Sequence, residues 1–188
     1  LSHDFPDLLS DAVYGLSEHY ADAIMSARLV ACPGCYPTAV LTALLPVIKL
    51  GQVSCDDLII DAKSGVTGAG RSLKETNLFS EIAEGLAPYG IAHHRHAPEI
   101  EQEIGFAAGS DNVTINFTPH LVPMNRGELV TIYAKTNGAK ADDVRASLNA
   151  FYDDKPFVRI VGADETPATR HVRGSNYCHV GVYDDRLP

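Results

Sequence analysis

The sequence predicts an α+β fold, a mixed and largely antiparallel sheet with helices on one side, and three observations carry that expectation. Residues 36–50 form one helix-length stretch that is apolar almost all round. The second half instead alternates apolar and polar residues, in VTINFTPHL at 113–121, ELVTIYAK at 128–135 and NYCHVGVY at 176–183, which is the period of half-buried strands. A nucleotide-binding βαβ unit would carry G-x-G-x-x-G between strand and helix, and here Gly65, Gly68 and Gly70 come in the wrong order. The 188 residues, 45% of them hydrophobic, suffice for one sizeable core, and neither a repeat nor a linker divides them, so a single domain over 1–188 is expected.

In chain order, 28–31 reads as a brief buried strand. The apolar helix follows, with Pro37 in its first turn, where a missing N–H is harmless, and Pro46 placed to kink its middle. LIIDA at 58–62 is a second strand and leads into the glycine-rich SGVTGAGRS at 64–72. Leu78, Ile82 and Leu86 share helical spacing around a segment at 74–85, and Pro98 opens a short helix to Ile104. The strands at 113–121 and 128–135 flank a loop holding Pro123, Asn125 and Gly127 and are expected to pair with each other. An amphipathic helix at 141–152, a strand at 157–161 and the last alternating strand complete the layout.

Charge narrows the partners. The formal net charge is -9 and the 15 Lys and Arg residues are scattered, so no basic stripe faces a nucleic acid or an anionic membrane. The longest apolar stretch, 39–50, is too short to span a bilayer. LSHDFPDLLSD at the start has no basic region, no apolar signal segment and no Met, so a cytoplasmic protein, or a piece cut from one, is expected. Its four cysteines, Cys32, Cys35, Cys55 and Cys178, are irregularly spaced and expected to be reduced.

ACPGCYPTAV at 31–40 sets Cys32 and Cys35 in C-x-x-C spacing ahead of the helix. Zinc takes four ligands and only one knuckle is present, so no metal site is expected. A thioredoxin-like dithiol stays open, because strand, C-x-x-C, helix is the arrangement that acidifies the first thiol, and so does a pair of buried structural cysteines. A nucleophile is favoured by the place of Cys35 at the helix mouth. There unpaired N–H groups and the dipole stabilise a thiolate, and Gly34 lets the backbone bend. The same N–H groups can steady an oxyanion.

A thiol nucleophile needs a proton partner, and HHRH at 93–96 supplies three imidazoles around one guanidinium, though such a cluster also reads as a polar loop or a metal site. His96 precedes a helix start that would hold its ring in place, and Arg95 can grip a substrate anion by two prongs. SGVTGAGRS reads either as an anion cradle, with successive N–H groups exposed beside Arg71 and Lys74, or as a surface turn. His120 and Arg126 carry no local signature and read as structural or rim residues.

PGCYPTA at 33–39, SGVTGAGR at 64–71, HRHAPEIEQ at 94–102, FTPHLVPMNRG at 117–127 and NYCHVGV at 176–182 resemble, in order and over nearly the whole chain, the N-acetyl-γ-glutamyl-phosphate reductase family. The resemblance implies an enzyme related to aspartate-semialdehyde and glyceraldehyde-3-phosphate dehydrogenases. In these a Rossmann domain binds NADP(H) and an α+β domain carries catalysis and dimerisation. This chain corresponds to the latter, with the Rossmann domain absent from 1–188, which also accounts for the missing fingerprint and the start without Met. A cytoplasmic homo-oligomer, dimer or tetramer, is implied, acting on a small acyl phosphate.

The resemblance further implies Cys35 as nucleophile, His96 as acid/base with His94 as runner-up, Arg95, Arg71 or Arg126 for the substrate, and Ser64, Gly65, Gly68 and Gly70 toward the NADP(H). Cys35 would attack N-acetylglutamyl phosphate, phosphate would leave, and hydride from NADPH would reduce the thioester to the semialdehyde by way of a thiohemiacetal. The family usually has Asn where this chain has Cys32, which makes the C-x-x-C a product of one substitution. Alternatives are an aspartyl or aminoadipyl phosphate reductase, a dithiol redox protein using Cys32 and Cys35, and a non-catalytic assembly module.

Overall fold

The computed structural model describes residues 3–186, and the chain sorts into two compact units, Leu1–Gly34 and Cys35–Pro188. In the first, a 3₁₀ turn (Pro6–Asp11) leads to strand β1 (Ala12–Tyr14), helix α1 (Ser17–Ser26) and strand β2 (Leu29–Ala31). The strands pair in parallel, Ala12 opposite Leu29 and Tyr14 opposite Ala31, and α1 is the crossover a parallel pair requires. The strand expected at 28–31 is present, but its three residues are exposed rather than buried. Two short strands and one short helix cannot cover both faces of the pair.

The second unit runs through α2 (Cys35–Lys49), β3 (Ile59–Gly65), α3 (Phe79–Ile82), β4 (Ala87–Pro88), α4 (Ala97–Ala108), β5 (Asn116–Val122), β6 (Glu128–Tyr133), α5 (Ala141–Tyr152), β7 (Val158–Ile160), α6 (Thr169–Val172) and β8 (Cys178–Val180). Helix α2 is its centre and packs on α4, α5 and β6. Tyr36, Val40, Leu41, Leu44, Leu45, Val47 and Ile48 are all buried, as an all-round apolar helix must be. Helix α5 presents the narrower stripe of Ala141, Val144, Leu148 and Tyr152. Pro46 has no N–H to give the Thr42 carbonyl, and the Tyr152 hydroxyl donates to that oxygen instead, at 2.6 Å.

The main sheet has the order β4-β5-β3-β6. It is mixed as expected: β4–β5 and β3–β6 are antiparallel, and β3–β5 is parallel. The expected pairing of 113–121 with 128–135 does not occur, because β3 lies between β5 and β6. The loop joining them crosses the end of β3 instead of turning tightly. It is pinned there as the N–H groups of Gly65, Val66 and Thr67 donate to the carbonyls of Gly127, Met124 and Asn125. The helix expected at 74–85 is also absent: a 3₁₀ turn (Glu75–Asn77) and the single turn of α3 stand there, with Leu78, Phe79 and Leu86 exposed. Helical spacing without a surface to pack on does not sustain a helix. β7 and β8 pair in parallel as a separate two-stranded sheet.

Across β3 and β6, Ile60 faces Ile132, Ala62 faces Val130 and Ser64 faces Glu128. The ladder is apolar along most of its length and turns polar at the end that meets the chemistry. On the other side of the sheet lie Ile59, Asp61 and Lys63, opposite Tyr133, Thr131 and Leu129. Among the described residues no helix is long and apolar enough to cross a membrane.

Candidate active site

Cys35 is the first residue of α2, free and exposed. Its side-chain partner is the Glu128 carboxyl, at the head of β6. Desolvation first, then the Glu128 charge and hydrogen bond, push the Cys35 thiol up to about 11. Backbone N–H contacts from residues 35 and 36 pull the other way. The helix-mouth effect expected of this position is therefore present, and burial and Glu128 outweigh it. Burial in turn holds the Glu128 carboxyl at about 7, with the bond to Cys35 lowering it. Its Oε1 is buried with no hydrogen-bond partner among the described residues.

One residue along, Tyr36 is fully buried, and its hydroxyl meets Tyr89 at 3.0 Å and also Ser64. Burial holds that phenol well above its usual range. The histidines gather on this ring: His94 lies 5.8 Å and His96 5.9 Å from Tyr36, centroid to centroid, and 4.8 Å from each other. His96 caps α4, 8% exposed, with Nδ1 buried and unpartnered among the described residues. The His96 N–H donates to His94 Nδ1 at 3.2 Å, so a neutral His94 carries its proton on Nε2. Desolvation first, then His96 and Arg95, lower His94 to about 4. Burial lowers His96 as well. Gly90 makes room for this ring: its φ is +58°, and a β-carbon there would stand 3.0 Å from His94 Cδ2.

The structure thus brings Ser64, His94 and His96 around Tyr36, and Cys35 and Ser64 to Glu128. His93 is exposed, and so are Arg71, Arg95 and Arg126, none of which forms an ion pair among the described residues. Of the three arginines, Arg95 acts on the histidine charges. Cys32 belongs to the first unit and is free.

The turn after β3 does not fit the anion cradle expected of it. The N–H groups of Gly65, Val66 and Thr67 are spent on the 124–127 loop, and that of Gly70 goes to the Thr67 carbonyl. A β-carbon on Gly65 would meet the Met124 carbonyl oxygen at 2.8 Å and the Arg126 nitrogen at 2.9 Å, so this glycine serves the protein's own loop rather than a cofactor phosphate. Ser64 is 5% exposed and bonded to Tyr36.

Sequence reasoning passed over Glu128 and Tyr36. A signal for Glu128 was available: Val130 and Ile132 set the inward phase of ELVTIY, and Glu128 falls on it, so the pattern aims a carboxyl inward.

Residues 35–187 match the model of the semialdehyde dehydrogenase dimerisation domain. A probable N-acetyl-gamma-glutamyl-phosphate reductase, chloroplastic, of Arabidopsis thaliana is 49% identical over 187 residues, 99% of this chain and 46% of that protein. An N-acetyl-gamma-glutamyl-phosphate reductase of Rhodospirillum rubrum is 50% identical over 188 residues, 100% of this chain and 53% of that protein. The chain thus spans about half the length of these curated relatives. Its fold resembles the crystal structure of aspartate semialdehyde dehydrogenase II from Vibrio cholerae, with a TM-score of 0.68 at 18% identity over 92% of this chain and 58% of that one. The chain belongs to the semialdehyde dehydrogenase family, as a member of its dimerisation-domain class.

Proposed function

We propose that residues 35–188 are the catalytic and dimerisation domain of a cytoplasmic, NADPH-dependent reductase of N-acetylglutamyl phosphate, with Cys35 as its nucleophile. The relatives that carry that name share about half their matched residues with this chain. The observation that carries the chemistry is Cys35 itself: an accessible thiol at the first turn of a buried helix, with backbone N–H groups at the sulfur and an ionisable carboxyl as partner.

In this reading the Cys35 sulfur attacks the acyl carbon, the carbon–oxygen bond to phosphate breaks, and the acyl group is held as a thioester. The N–H groups at the helix mouth steady the oxyanion on the way. NADPH, when bound, supplies the hydride for the reduction, and none of residues 64–70 is assigned to it. His94, neutral with its proton on Nε2 and more accessible than His96, is assigned the proton transfer at the substrate oxygen. Arg95, beside it, is assigned to the substrate anion. The outward sheet face, with Ile59, Leu129 and Tyr133 exposed, is assigned to self-association.

Phosphate-dependent reduction of NADP, run with N-acetylglutamate, aspartate and aminoadipate semialdehydes in turn, tests the substrate. The acetylated substrate is expected to give the highest kcat/KM, and preference for either of the others overturns the assignment.

A further inference from the structure

The outward face of the main sheet carries a cluster of charge that its assignment to self-association does not explain. β3 is an inner strand of that sheet, and Asp61 and Lys63 stand two residues apart on its outward side. On β5 the buried Phe117 and Pro119 fix the inward phase, so His120 falls on the outward side, opposite Lys63 in the register of the two strands. Lys63 Nζ lies 2.7 Å from Asp61 Oδ2, and His120 Nδ1 lies 3.2 Å from Asp61 Oδ1. The same face presents Ile59, Leu129 and Tyr133, all exposed. Association faces ordinarily keep charge away from their centre, because burying it is costly unless it is balanced.

Here the balance depends on one proton. His120 Nδ1 also meets the Ala62 carbonyl oxygen at 3.3 Å. A carbonyl oxygen only accepts, so Nδ1 carries the proton of the neutral ring and Nε2 is left as an acceptor. Asp61 Oδ1 is buried without a hydrogen bond among the described residues, so it acts on the ring through its charge. With the ring neutral, Asp61 and Lys63 cancel. A second proton on the ring leaves the three groups with one net positive charge. Of the neighbouring strands, β6 brings Leu129, Thr131 and Tyr133 to this side, and only the tyrosine titrates. Pro88 of β4, opposite His120, brings no charge, and beyond the end of β6 Lys135 is already paired with Asp57.

We propose that a second copy of this chain seats on this face with the Asp61, Lys63 and His120 cluster inside the contact, so that the copies assemble with His120 neutral and protonation of its ring loosens them. The inference rests on the reading of the outward face as the self-association surface, and residues 35–187 match a dimerisation domain. A contact between two identical faces is isologous, so any charge that one copy brings, the other brings too. With both rings neutral, each cluster is desolvated as a balanced ion pair. With both rings protonated, two net positive charges are held in a contact that water has left. The assembled form therefore binds fewer protons than the separate subunits, and association weakens as pH falls.

Subunit exchange tests this. Two batches labelled at the amino terminus with a donor or an acceptor dye are mixed, and the gain in energy transfer is followed at about pH 8 and about pH 5.5. An imidazole with the ordinary value of about 6.5 that must give up its proton in each of two copies weakens assembly about 100-fold between those conditions. Most of such a change appears as faster dissociation, so wild type is expected to exchange about 100-fold faster in acid, or to lose energy transfer there. His120→Gln keeps a donor for the Ala62 carbonyl but cannot titrate, and is expected to exchange at one rate throughout. Lys63→Gln leaves Asp61 unbalanced at the higher pH and balanced by the protonated ring at the lower, so its pH dependence is expected to reverse. Equal wild-type rates overturn the inference and leave self-association standing, as does an undiminished acid response in His120→Gln. An acid response of Lys63→Gln in the wild-type direction rejects the charge balance and the proposal with it. Absence of energy transfer at every protein concentration at the higher pH overturns the self-association reading and this inference together. Should His120→Gln fail to fold, the direction of the Lys63→Gln response decides.

Discussion

Helix α2 meets polar groups at its middle and at its first turn, and the two regions handle them in opposite ways. In the middle, Pro46 leaves the Thr42 carbonyl without its helical donor, and the Tyr152 hydroxyl supplies the missing bond in the buried core. At the first turn, Glu128 Oε1 and His96 Nδ1 are buried and unpartnered among the described residues, the Cys35 thiol is pushed up, and His94 is pushed down. The same helix, in the same core, is satisfied where it is structural and left short where a substrate would arrive. Buried polar atoms without a partner among the described residues also stand at Gln52 and Arg145, so what sets the mouth of α2 apart is that two of them lie at the end that carries an exposed thiol.

The sharpest way to break this contrast is at the sulfur. Cys35→Ser is expected to lose acyl transfer on the order of 10⁴-fold or more, the scale of removing a nucleophile, while Cys32→Ser keeps it. Equal losses in the two variants would point to a dithiol and dissolve the distinction.

The next effect is on stability. A folded-state value for Glu128 of about 7, against an ordinary 4.5, means that the folded protein binds this proton more tightly than the unfolded chain. The stabilisation is complete below about 4.5 and is lost as pH rises through about 7. Wild type is therefore expected to lose about 3 kcal/mol, relative to Glu128→Gln, between pH 5 and pH 8 in urea unfolding. Parallel pH profiles for the two proteins would show that the carboxyl is ordinary. His94 runs the other way: lowered on folding, it contributes stability that is lost as pH falls from about 6.5 toward 4.

Within the histidine pair, His94→Asn is expected to lower kcat about 100-fold, as loss of a general acid does. His96→Asn should act mainly through stability, read by the unfolding midpoint. The reverse ranking would return the acid/base role to His96. Smallest is Tyr152→Phe, which leaves the Thr42 carbonyl unmet and is expected to cost about 1–3 kcal/mol in urea unfolding. The Cys35 alkylation rate should not change. A change there would mean that the middle and the mouth of α2 are coupled.

Much of this was legible in the chain. The apolar run was enough for α2, the stripe of Val144, Leu148 and Tyr152 was enough for α5, and Cys35 could be placed at a helix mouth from its neighbours alone. These are local patterns, and local patterns survive folding when there is a core to bury them. The spacing of Leu78, Ile82 and Leu86 was equally periodic and gave only a single turn, because no surface covers it. The turn at 65–67 looked like a cradle because its N–H groups have no partner nearby in sequence; carbonyls from 124–127 meet them, while the Gly70 N–H is met locally by Thr67.

From the amino-acid order alone came the α+β class, the central helix, the thiol at its mouth and the imidazole cluster at 93–96, because each depends on residues within a few positions of one another. Tertiary structure decided that β3 separates β5 from β6, that Glu128 stands as the side-chain partner of the sulfur and that burial pushes the thiol up. Those outcomes depend on strand register and on how far water is excluded, and both are set by residues nearly a hundred positions apart along the chain, as Cys35 and Glu128 are.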